Sequence, residues 1–165
     1  MRMLPTLLCG ALLALVPATE GAASPPAEVL KTLIHGRRPL ADVTVRFASG
    51  RAAYRGEFRL EVSGGGRLGL EVESGGQVER FDARISDTGV RTLLQLLVDT
   101  EPWSLEHAAG SAPPDTEELS ISLSTIQGDL AVEASFRITA ASDSPDLLAL
   151  LDVYRALAKA ARGEK

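Results

Sequence analysis

Cysteine is almost missing from this chain. The 165 residues include a single one, Cys9, and it lies inside an N-terminal apolar run. That run, Leu7 to Val16, follows the basic Arg2 and precedes small residues at Val16-Pro17-Ala18 and Gly21-Ala22-Ala23. This is the pattern of a cleaved export signal over residues 1–23. The run is shorter than the roughly 20 apolar residues that cross a bilayer, so no stable membrane span is expected after cleavage. Leu8, just before Cys9, is not the small residue that lipid modification of the cysteine would need. The mature chain then has no cysteine, which excludes disulfides and thiol catalysis. The expected location is periplasmic or extracellular.

Other absences narrow the chemistry. The two histidines, His35 and His107, stand far apart, and no HxxH, HxxxH or CxxC spacing occurs, so no metal site is expected. A net charge of −5 argues against non-specific nucleic-acid binding. No GxSxG motif marks a nucleophilic serine. The triplet Gly64-Gly65-Gly66 lacks the lysine and helix start of a phosphate loop and reads as a turn. No internal repeat is present. The chain reads as a non-enzyme without a cofactor.

Two periodicities are present. Val90, Leu93, Leu94, Leu97 and Val98 fall on one face of a helix within Ser86–Trp103, capped by Asp87 and stopped by Pro102. Pro145 to Ala161 gives a second helix, capped by Ser144, with an inner stripe of Leu147, Leu150, Leu151, Tyr154, Leu157 and Ala161. A short helix or docked arm precedes them, with Val29, Leu30, Leu33 and Ile34 on one face and Gly36 at its end.

Elsewhere the period is two, the spacing of half-buried strands. Val43, Val45 and Phe47 alternate with polar residues, and a loop with Gly50 and Gly56 is expected after them. Three more strands carry Phe58-x-Leu60-x-Val62, Leu68-x-Leu70-x-Val72 and Phe81-x-Ala83-x-Ile85. After the central helix come Leu119-x-Ile121-x-Leu123 and Leu130 to Ile138.

Register can be argued for the meander. The Gly64–Gly66 loop sets Val62 opposite Leu68, Leu60 opposite Leu70 and Arg59 opposite Glu71, a favourable cross-strand pair. For the next hairpin, a Gly76-Gln77 loop sets Val72 opposite Phe81, and a Gly75-Gly76 loop sets Leu70 opposite Phe81. The first is preferred because it keeps Arg67 from facing Arg84. A sheet with one apolar and one charged face needs one covering layer. The reading is therefore a two-layer α+β fold. It has a largely antiparallel sheet of about six strands, with helices on one face. Residues 24–40 form an arm or short helix, and 41–162 the single domain.

Glu57, Glu61, Glu71, Glu73 and Asp82 share the outer face with interleaved arginines and read as a soluble sheet surface. Partner contact is expected instead at the loop His107–Pro114, with His107, Ser111, Pro113 and Pro114, or at the low-charge row Ser120, Ser122 and Ser135. Loops of that length are often functional, and a serine row leaves a partner little charge to desolvate.

The run from Val90–Val98 through Trp103-Ser104-Leu105, Pro114-Asp115 and Leu119–Ile138 to Pro145–Ala161 resembles the emfourin-like family, small bacterial inhibitors of thermolysin-type metallopeptidases such as protealysin. It is also similar to small exported bacterial domains of unassigned role. The resemblance implies a protein partner of the exported-peptidase class. The family's Gly-Gly-Phe-x-Gly run has no counterpart, since Gly65, Gly66 and Gly69 stand without a phenylalanine between them, so no inhibitory residue carries over. The functional expectation is an exported non-catalytic binding domain acting through protein contacts, with peptidase inhibition as one form. The alternative is a small-ligand-binding or structural cell-envelope domain. The sequence leaves oligomeric state and strand order open.

Overall fold

Alternating apolar residues bury one side of a strand, because successive side chains point to opposite faces. In a computed structural model, which describes residues 26–51, 54–104 and 116–164 and only the backbone of 51 and 54–57, that alternation builds one open sheet. Its strands are β1 Val43–Arg51, β2 Tyr54–Ser63, β3 Arg67–Ser74, β4 Gln77–Arg84, β5 Glu117–Thr125 and β6 Ala131–Arg137. The helices are α1 Pro26–Ile34, α2 Asp87–Thr100 and α3 Pro145–Arg162, with short 3-10 turns at Leu40–Asp42 and Ile138–Asp143. The spatial order is β4-β3-β2-β1-β5-β6, and every neighbouring pair is antiparallel. The fold is the expected α+β, two-layer arrangement. The chain returns from the β4 edge through α2 to place β5 beside β1, so β1 is flanked by β2 and β5.

The inward residues Val45, Phe47, Leu60, Leu70, Leu119 and Ile121 join Leu93, Leu97, Leu150 and Leu151 of the helices in one core. The N-terminal segment is a docked helix: Leu30 and Leu33 are fully buried. Its end is tied down from α2, because the Arg91 guanidinium donates to the carbonyls of Leu33, at 2.9 Å, and Ile34. Those are the orphan acceptors that every helix leaves at its C-terminus. The covering layer thus has three helices, one more than the alternation of the later chain required.

Arg38 makes a second tie. It donates to Asp42 beside it in the chain and to Asp129 in the β5–β6 turn, the latter at 2.6 Å. Asp129 also accepts from the Thr125 hydroxyl at 2.6 Å. The Thr125 bond and then the Arg38 guanidinium hold the Asp129 carboxyl below its ordinary range, and the Asp129 and Asp42 bonds raise Arg38.

Three expectations are corrected. Gly50 and Gly56 lie within β1 and β2, not in a loop, because the two strands pair almost to their ends with a register shift between Gly50 and Arg51. The α2 cap is Ser86, whose side chain accepts from the Gly89 N–H at 3.2 Å; Asp87 is already the first helical residue. Within the glycine triplet only Gly66 has positive φ, +81°. Gly64 serves close packing, since a Cβ there would overlap the Leu40 carbonyl.

The third correction is the β3–β4 register. Leu70 faces Phe81, Glu71 faces Arg80, and Arg67 does face Arg84. Gly75 and Gly76 both have positive φ, the requirement of a two-residue type I′ hairpin whose twist suits the strands. The like charges are relieved diagonally, because Arg67 reaches Asp82 at 3.0 Å. The β2–β3 register is the expected one throughout, with Val62 opposite Leu68 and Arg59 opposite Glu71.

Candidate binding surface

Side chains alternate across a sheet, so each ladder row on the outer face can be read from the pairing. One row runs Glu133, Ser122, Arg46, Glu61, Gly69, Asp82 from β6 to β4. The next runs Ser135, Ser120, Ala48, Arg59, Glu71, Arg80. Ala48, Ser120 and Ser122 are neighbours on β1 and β5, and Gly69 lies two strands away with Arg46 and Glu61 between. These residues, with Arg80 and Asp82, line a depression of about 380 Å³.

The charges on this face hold one another. Arg46 donates to Glu61 at 2.8 Å, Arg80 to Glu71 at 2.6 Å and Arg67 to Asp82 at 3.0 Å. All of these side chains are well exposed, and such pairs add at most about 1 kcal/mol each to stability. Their consequence is pattern: paired opposite charges set among small residues.

The structure brings Ser120, Ser122 and Ser135 together, with Ser120 directly opposite Ser135. It does not make them a neutral patch separate from the meander. Ser122 lies between Arg46 and Glu133, and Ser120 and Ser122 line one depression with the charged rows. Sequence spacing places residues along a strand, but the strand order that sets their lateral neighbours is not local. His107, Ser111, Pro113 and Pro114 lie outside the described residues. His35 is exposed in the turn after α1. Among the described residues no three acidic, histidine or cysteine side chains converge as metal ligands would, and no helix is long and apolar enough to cross a membrane.

A second concavity, of about 560 Å³, opens on the helix side between the end of α3 and the strands. At its base the hydroxyls of Ser49 and Tyr154 are 2.9 Å apart. Burial pushes the Tyr154 phenol up from its ordinary value, and the Ser49 bond pulls it partly back. Arg162 covers the Phe58 ring at 5.7 Å. Sequence reading gave Tyr154 only a place in the α3 stripe. Its polar partner was hidden because Ser49 lies beyond the run of β1 that the alternation marked.

No protein-family model matches this sequence, and no curated protein matches it at a significant level.

Proposed function

We propose that this chain is an exported, non-catalytic binding domain that engages a protein partner through the uncovered face of its sheet. The observation that carries the reading is the outer face itself. It is a broad, patterned surface with a depression lined by small residues and ion pairs, and no described helix lies over it. Specific protein contacts bury about 800 Å² on each partner, an extent that suits a whole sheet face better than either concavity alone. The paired arginines favour the same use, because a partner can bury them without leaving a lone charge.

Peptidase inhibition is the finer form of this reading, supported by the order of elements from α2 to α3. Titration of the purified mature protein against thermolysin-type peptidases tests it. Inhibition at micromolar concentration, weakened roughly tenfold or more by Ser122→Arg, is the expected result for an inhibitor acting through this face. No inhibition removes that form and leaves the binding domain.

Export is the other half of the proposal, and the support for it is the apolar Leu7–Val16 run after Arg2. The mature protein should begin between Thr19 and Pro25. N-terminal sequencing of native protein that still reads Met1 would sink this.

A further inference from the structure

Glycine inside a strand weakens it, because it frees the unfolded backbone and packs no side chain. It is kept where the backbone bulges, takes positive φ or lies against other atoms. None of these holds at Gly69. The residue stands within β3, with unbroken register to Glu61 on one side and Asp82 on the other. Its φ is not positive. A Cβ there would come no closer than 3.9 Å to its neighbours, at the Asp82 carboxylate, which is an ordinary contact. The fold itself gives no reason for glycine at this position. What the missing side chain leaves is a notch on the outer face. Glu61 and Asp82 flank it across the sheet, and Arg67 and Glu71 flank it along β3.

We propose that this notch receives an aromatic side chain of the protein partner, which makes Gly69 a specificity-determining position. The inference rests on the reading of the uncovered sheet face as the binding surface. The charges beside the notch are matched: Arg67 donates to Asp82, Arg80 to Glu71 and Arg46 to Glu61. A charged side chain would therefore meet no lone opposite charge. An aliphatic one would strip water from the ion pairs without a compensating contact. A ring supplies that contact, because a guanidinium whose N–H edge is held by a carboxylate keeps its flat faces free to stack. Aromatic and arginine anchors are also what the centres of protein interfaces are enriched in. Residues 1–25 and 105–115 contain no Phe, Tyr or Trp, so neither segment supplies the ring.

The probes are N-acetyl-tryptophanamide and N-acetyl-leucinamide, titrated into isotope-labelled mature protein and followed by amide NMR. The tryptophan probe should shift the Gly69, Glu61 and Asp82 signals with a Kd on the order of 10 mM. The leucine probe should leave them in place up to about 50 mM. Gly69→Ala and Gly69→Val fill the notch. Gly69→Ala should melt about 1–3 °C above wild type, and valine suits a strand. Both variants should bind the tryptophan probe about threefold or more weakly. A substitution that raises stability and weakens the probe acts on the notch and not on folding. Equal shifts from the two probes, no shift at those amides, or wild-type affinity in Gly69→Val overturns the inference. A partner lost from Ser122→Arg but fully retained by Gly69→Val also overturns it, while leaving the sheet face as the binding surface.

Discussion

Gly64→Ala should destabilise the protein by about 3 kcal/mol or more, whereas Gly65→Ala should stay within about 0.5 kcal/mol of wild type. The two glycines are adjacent in one turn, and composition treats them alike. Their surroundings differ. A Cβ at Gly64 would overlap the carbonyl of Leu40, a backbone group that cannot swing aside, and the Gly64 N–H is itself held by the Val43 carbonyl at 2.8 Å. A Cβ at Gly65 would touch only the Ser63 hydroxyl, at 3.9 Å. Making room at Gly64 means moving the Leu40–Asp42 turn, and with it Arg38's link between Asp42 and Asp129. Urea unfolding of the two variants checks this. Equal losses would mean that the triplet is an ordinary turn and that the close approach of Leu40 is not a constraint.

Leu97→Ala should cost about 2–5 kcal/mol, from lost transfer energy and the cavity left behind. Leu97 of α2 is fully buried, and Leu93 of α2 and Leu151 of α3 are buried to within a few per cent. Gln95, on the far side of the same helix, is exposed and donates to Asp99 at 2.8 Å. Gln95→Ala should therefore change stability by no more than about 0.5 kcal/mol. A Leu97→Ala loss below that size would mean that a different face of α2 meets the sheet.

The helices and the strand alternation were legible because burial follows period, and period is local. The β2–β3 register was legible because two signals agreed, apolar rows on one face and Arg59 against Glu71 on the other. The β3–β4 register misled because only one signal was weighed. Keeping Arg67 from facing Arg84 is the weaker signal, because a long arginine reaches a diagonal carboxylate, and the paired glycines of a type I′ turn set the geometry. What required a third segment was invisible: Leu40 against Gly64, Arg91 on the end of α1, Arg38 on Asp129. The serine row was found by its spacing. Its lateral neighbours Arg46 and Glu133 were not, since nothing along β5 says which strands flank it.

The most direct test of the proposed function is capture from the envelope fraction of the producing cell, with the immobilised mature protein compared against its Ser122→Arg variant. Ser122 is half-buried at the edge of the depression and points away from the core, so the variant should fold normally and melt with the wild type. The account predicts at least one protein retained by the wild type and lost from Ser122→Arg. The same proteins held equally by both would place the contact elsewhere and contradict the uncovered sheet face as the binding surface.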